Sequence, residues 1–194
     1  MALVPLRELD EMDPVDRSTA EAGSQASGRV LHTWQAIANQ PKLLSVYLPF
    51  VRAVTGPGEL DQPIKELVAI RVGVLNHCRY TVSHRCTSAR AQAVAEEDMA
   101  AVAKGDYSEF PAKLRLALEF TDAVTLEVPA TPRPDSAAGI SSDLRSRVAA
   151  AFTPGELVEL LMSISVWNGL ARFHRVMDFD LDLPAAPQSV QDAL

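Results

Sequence analysis

A chain of 194 residues, 47% apolar and 22% charged, has the length and composition for one globular core. Its net charge of -7 argues against nucleic acid or an anionic membrane surface as a partner. No apolar run reaches the roughly 18 residues of a membrane span. The opening MALVPLRELDEMD lacks a basic leader with an apolar core, and the two cysteines form no zinc-like cluster, so a cytoplasmic location is expected.

Residues 1–27 hold little apolar periodicity after Leu9 and run through DPVDRSTAEAGSQASG, which predicts an extended N-terminal arm. The domain itself is expected over 28–183, with 184–194 as a C-terminal tail. A first helix is predicted over about 28–39, with Val30, Leu31, Trp34 and Ile37 on one face. Pro41 opens the next, whose stripe is Leu43, Leu44, Tyr47, Phe50, Val51 and Val54 and which Pro49 should bend. TGPG at 55–58 is a loop.

The stretch 66–93 organises the chain. Asp61 and Pro63 open a helix that is apolar on every side, through Leu67, Val68, Ala69, Ile70, Val72, Val74 and Leu75. Glu66 and Arg71 lie inside that run, and each needs a partner, because an unpaired buried charge costs several kcal/mol, roughly. Asn76 and His77 interrupt the pattern, and Cys78 opens a second helix. So short a break predicts an antiparallel hairpin. At about 1.5 Å per residue, Glu66 should then approach the level of residues 81–85. Cys78 falls in the first turn of the second helix, where free N–H groups and the macrodipole favour a thiolate. A carboxylate, a thiol and the imidazole of His84 are thus expected to converge.

Glu96, Glu97 and Asp98 start a short helix that Gly105 stops, and another follows over about 111–127. PATPRPDSAAG at 129–139 reads as a loop and candidate lid or rim. Ser141 or Ser142 can cap the next helix. Thr153-Pro154-Gly155-Glu156 is a capping box, and the last helix carries Leu157, Leu160, Leu161, Ile164, Trp167, Leu170, Ala171 and His174 before DFDLDLP ends it. The chain is expected to be all-α, with seven to eight helices around the central hairpin.

The central stretch resembles the carboxymuconolactone decarboxylase and alkylhydroperoxidase (AhpD-like) family. The likeness rests on an ELxxxRVxxLNxC pattern, here Glu66, Leu67, Arg71, Val72, Leu75, Asn76 and Cys78, and on the later Trp167–Asn168 pair followed by Ala171, Arg172 and Phe173. It spans about 40–180. The redox branch of the family uses CxxC with a His four residues on; here Thr81 stands at the second Cys, Arg85 at the His, His84 one place early, and Tyr80 where some members carry a further His. Cys86 does not replace the missing thiol, since eight residues of helix span about 12 Å, beyond the roughly 7 Å over which Cα atoms can be bridged.

The resemblance implies a small-molecule enzyme without organic or metal cofactor, acting on a small organic acid, lactone or peroxide. Cys78 would be nucleophile or redox thiol, Glu66 a proton-transfer or orienting carboxylate, and His84 an auxiliary acid or base. Arg85, Thr81, Tyr80 and Trp167 would line or support that site. A homo-oligomer (trimer, hexamer or dimer) is also implied. Against this stands a plainer reading: Cys78 as a small buried hydrophobe, Glu66 as a structural ion pair with Arg71 or Arg85, and the chain as a catalytically silent oligomeric ligand-binding or structural protein. Replacement of the family's His by Arg85 turns a titratable pair into a salt bridge that moves no proton near neutral pH. His77, Cys78, His84 and Cys86 do not share a helical face as metal ligands would.

Overall fold

The computed structural model describes residues 2–130 and 139–194, so most of the 129–139 loop lies outside the described residues. After a 3-10 turn at Leu9–Glu11, helix α1 (Pro14–Ser27) starts on Asp13, whose carboxylate accepts the Val15 amide, and stops at Gly28 in the left-handed region. This corrects the expected extended arm. The helix escaped pattern reading because its inner face is built from Ala20, Gly23 and a carboxylate rather than large apolar residues. Asp16 is fully buried and accepts the amides of Lys42 and Ser45. Gly23 lets α1 run so near Trp34 that an added Cβ would stand 2.8 Å from the indole.

The predicted first helix is only α2 (His32–Ile37), and α3 (Leu43–Thr55) carries Pro49 inside it. The hairpin then follows as α4 (Gln62–Leu75) and α5 (Arg79–Ala91), packed antiparallel. Asp61 holds the N-cap position of α4 without a side-chain capping bond, and Pro63 sits in its first turn. Helix α4 is buried all round, with Val68, Ile70 and Val72 fully enclosed. Gly73 sets the helix spacing, since a Cβ there would meet the Val82 side chain at 2.9 Å.

Around this pair lie α6 (Glu96–Lys104), α7 (Ala112–Asp122) running into a π-helical turn at Ala123–Glu127, α8 (Ser142–Ala151) capped by Ser141, and α9 (Pro154–Met177), whose Thr153–Glu156 capping box forms as expected. A last turn, α10 (Gln188–Gln191), packs on α6, and Ala186 and Val190 are buried in the main core. The C-terminal tail over 184–194 thus packs on the main core through Ala186 and Val190. The fold is all-α with ten α-helices among the described residues, more than the seven or eight expected, because α1 and α10 were not read as helices. None of them is long and apolar enough to cross a membrane.

Candidate active site

The hairpin turn is fixed from behind. Asn76 donates to the Val72 carbonyl and to Asn168 Oδ1 at 3.0 Å, and Asn168 in turn donates to Thr125, which ties the LNxC turn to the Trp167–Asn168 pair of α9. His77 takes a left-handed backbone in this turn, its Nδ1 3.0 Å from the Leu194 carbonyl. Cys78 is the N-cap of α5, a free thiol with 1% exposure. Its Sγ receives the Thr81 amide at 3.4 Å and the Thr81 hydroxyl at 3.2 Å.

From Thr81 a buried hydrogen-bonded chain leads away from the thiol. Thr81 Oγ1 lies 2.9 Å from His174 Nδ1, His174 Nε2 lies 3.0 Å from Thr33 Oγ1, and Thr33 meets Tyr80 Oη at 3.3 Å. Tyr80 donates to Asp182 Oδ2 at 2.7 Å, and Asp182 Oδ1 lies 2.5 Å from His84 Nε2. The His32 amide adds a donor to Asp182 at 2.7 Å. Tyr80 stacks on His84 with ring centroids 4.2 Å apart. A hydroxyl carries one proton, so Thr81 either donates to Cys78 and accepts from His174, or donates to His174 and leaves the thiol to donate to it. Tyr80 gives its proton to Asp182, so Thr33 keeps its bond to Tyr80 only by donating to it, which makes His174 Nε2–H the donor to Thr33 and selects the second arrangement.

Charge states follow from burial. Desolvation, assisted by repulsion from His84 whenever that ring is protonated and by the Arg85 charge, pushes His174 down to about 3. Burial also lowers His84, outweighing the opposing pull of Asp182. For Asp182 burial works upward, but hydrogen bonds from His84, the His32 amide and Tyr80 outweigh it and hold the carboxyl at about 2. Tyr80 is raised by burial and then by the Asp182 charge. Near neutral pH both imidazoles are uncharged beside an ionised Asp182, so His84 Nε2 carries the proton it donates and Nδ1 keeps its lone pair.

Glu66 belongs to a second cluster. Its carboxylate receives Arg85 Nη1 at 3.3 Å, the Ser88 hydroxyl at 2.8 Å and the Gln62 amide at 3.2 Å. Arg71, the other charge in α4, pairs instead with Asp122 at 2.7 Å. The expected convergence of Glu66, Cys78 and His84 is thus not formed: none of the three hydrogen-bonds another. The reason is axial. Arg85 and Ser88 lie seven and ten residues beyond Cys78, about 10 and 15 Å along the helix, so the hairpin register sets Glu66 well above the thiol.

Arg85 also stacks over Trp167, with its guanidinium carbon 4.5 Å from the ring centroid. A cavity of about 480 Å³ is lined by Thr81, His84, Arg85, Trp167, His174 and Tyr47, among others, while Cys78 lines a separate recess of about 190 Å³ with Tyr80, His174 and Phe179. Tyr80 and His174 border both. Cys86 is fully buried in the apolar core, where desolvation pushes its thiol up to about 12. Among the described residues, no three His, Cys, Asp or Glu side chains converge as a metal would require.

Sequence reasoning missed Thr33 and Asp182 and read His174 only as a residue of the last helix. The sole signal for Asp182 was DFDLDLP, which reads as a helix terminator; its carboxylate returns to the site only because the chain after α9 folds back over α5.

An all-helical fold built on a buried hairpin, with a cysteine at the start of its second helix, defines a class to which known proteins can be compared. The carboxymuconolactone decarboxylase family model matches residues 41–123. The Escherichia coli (strain K12) protein YnjA is 28% identical over 137 residues, 70% of this chain and 69% of that protein. Among solved structures, a peroxidase-related protein with an alkylhydroperoxidase AhpD core from Ralstonia eutropha JMP134 superposes with a TM-score of 0.78 at 14% identity, covering 97% of this chain and 94% of its own. The debrominase Bmp8 superposes with a TM-score of 0.75 at 19% identity, covering 97% and 95%. Residues 41–123 thus carry the carboxymuconolactone decarboxylase family pattern, and the fold is that of the AhpD-like structures.

Proposed function

We propose that the chain is a thiol peroxidase that reduces a small hydroperoxide with Cys78 as its single motif thiol. The observation that carries this reading is the Thr81 hydroxyl shared between Cys78 Sγ and His174 Nδ1. In the reaction, sulfur takes the terminal peroxide oxygen as the O–O bond breaks, and the thiol proton passes through Thr81 and His174 to the departing alkoxide. The products are an alcohol and a sulfenic acid. An external thiol condenses with the sulfenic acid and releases water, and a second external thiol regenerates Cys78. No step needs Glu66, which the Arg85 pair occupies.

The recess of about 190 Å³ beside Cys78 favours a compact peroxide over a lactone or larger organic acid. Two fold relatives described as peroxidase-related are consistent with this chemistry. A cysteine-to-alanine variant of Bmp8 in complex with 2,3,4-tribromopyrrole shows that the fold also hosts other small organic ligands. A homo-oligomer in the cytoplasm, where external thiols are plentiful, completes the proposal. Exposed Leu43, Val46 and Phe50 on α3, with Val158, Leu161 and Met162 on α9, support a self-association face.

The silent-member reading has its own support in the Glu66–Arg85 lock and the burial of Cys78. One experiment separates the two. The protein is mixed with tert-butyl hydroperoxide and dithiothreitol, and Cys78 is probed with dimedone. Faster peroxide loss than with Cys78→Ser, with a dimedone adduct on Cys78, supports the peroxidase; equal rates for the two proteins leave the silent reading.

A further inference from the structure

We propose that the larger cavity, not the recess beside Cys78, is a binding site for an acidic phenol, whose hydroxyl proton is taken by the His84–Asp182 dyad. This goes beyond the peroxidase reading and does not depend on it. Three features of the cavity wall carry the inference.

The first is an open base. Asp182 accepts His84 Nε2–H, which fixes the tautomer, and no described residue hydrogen-bonds Nδ1. A histidine oriented by a buried carboxylate with its other nitrogen free on a cavity wall is arranged to accept a proton. The second is an incomplete cation. Arg85 gives Nη1 to Glu66, but its Nε is buried without an acceptor. An orphaned buried donor is destabilising, and a ligand oxygen anion would satisfy it. The third is size and lining. Trp34, Tyr47 and Trp167 line a volume of about 480 Å³, enough for one substituted aromatic ring.

These features select the ligand class. A carboxylic acid arrives ionised and offers the base no proton. An unsubstituted phenol, with a pKa of about 10 like tyrosine, is too weak an acid for an imidazole that burial makes a weaker base than free histidine. A phenol acidified by electron-withdrawing substituents gives up its proton far more readily, and Arg85 beside the base favours the anion that forms. Its O–H bond breaks and the proton goes to Nδ1. The imidazolium stays paired with Asp182, the phenolate oxygen faces Arg85, and the net charge of the cavity is unchanged. Besides Asp182 and Arg85, the groups facing His84 are Tyr80, His32 and His174.

The test uses 4-nitrophenol with the full chain, at a pH where the free compound is mostly protonated. Binding is read from quenching of tryptophan fluorescence, and ionisation from the visible phenolate band. The wild type is expected to bind and to show a saturable phenolate band. His84→Gln and Asp182→Asn should lower the bound phenolate roughly tenfold or more, the effect of losing a charge-assisted hydrogen bond. Because Asp182→Asn also loosens the C-terminal segment, His84→Gln decides if that variant unfolds. Cys78→Ser should keep the band even if it abolishes peroxide reduction, so failure of the peroxidase reading and failure of this one are distinguishable. Absence of binding, binding without ionisation, or a full band in His84→Gln would overturn the assignment.

Discussion

Glu66 and Arg85 face each other across the central hairpin, Oε2 3.3 Å from Nη1, with the carboxylate side chain 4% exposed and the guanidinium 19%. Ser88 and Gln62 complete the shell of the carboxylate, and Trp167 covers the guanidinium. The pair joins α4 and α5 across the central hairpin, so its role is in holding the hairpin together. Glu66→Gln should therefore cost about 2–3 kcal/mol, less than a fully enclosed pair because Arg85 keeps some water and its indole. In thermal unfolding that is a Tm lower by roughly 5–10 °C, with peroxide reduction per folded molecule little changed. A variant as stable as wild type but inactive would show that Glu66 reacts rather than supports.

Thr81 stands where the redox branch of the family carries its second thiol, and its hydroxyl already lies 3.2 Å from Cys78 Sγ. Thr81→Cys puts a sulfur within bonding reach on the same turn, inside the range over which disulfides close. The variant should form a disulfide with Cys78 on treatment with peroxide, reversible by dithiothreitol. The thiol count with a chromogenic disulfide would fall accordingly. At low external thiol, where resolution limits the cycle, peroxide turnover should rise because an internal thiol resolves the sulfenic acid faster than an external one, even though the oxidation step loses the Thr81 hydroxyl. An oxidised variant that keeps every thiol free would mean that the α5 start is too rigid to bring the sulfurs together.

The hairpin, the long buried α4, the capping box of α9 and the Glu66–Arg85 pair were all legible because each is written in local order: apolar residues on every side, Thr–Pro–Gly–Glu at one start, a Glu and an Arg at a register fixed by the turn. Helix α1 was not, since Asp16 and Gly23 make its inner face and neither is apolar. Nor was the chain from Thr81 to His84. It joins α2, α5, α9 and the segment after α9 through Thr33, Tyr80, His174 and Asp182, and pairings across such distances leave no periodic trace in sequence. His84 looked close to Cys78 by residue number, but its side chain turns to Asp182.

Cys86 offers a check on which thiol reacts. It is fully enclosed in the core and its thiol is pushed up to about 12 by desolvation, whereas Cys78 borders a recess. Iodoacetamide at neutral pH should label Cys78 alone in the folded protein, and Cys86 only after denaturation. Mass mapping of the alkylated peptides reads this directly. Labelling of Cys86 at a rate matching Cys78 would require the core beside α6 to open, and would make Cys86 available as a second reactive thiol.

His174 makes a prediction for acid stability. Its pKa falls from 6.5 to about 3 on folding, so the unfolded chain binds a proton between those limits that the folded chain does not. The stability tied to the neutral ring is complete above the unfolded value and is lost as pH falls toward 3; His84 shifts in the same direction. At pH 5 the unfolded His174 has gained most of its proton, and the loss from this one group relative to pH 7 is about 2 kcal/mol. His174→Gln keeps an amide that can bond Thr33 and Thr81 but does not titrate. Urea unfolding at pH 7 and pH 5 should therefore show wild type losing about 2 kcal/mol more than the variant over that interval. Equal losses would mean that water or a rearranged Asp182 charges His174 in the folded protein, and the polarised chain from Cys78 to Asp182 would then need a protonated imidazole at its centre.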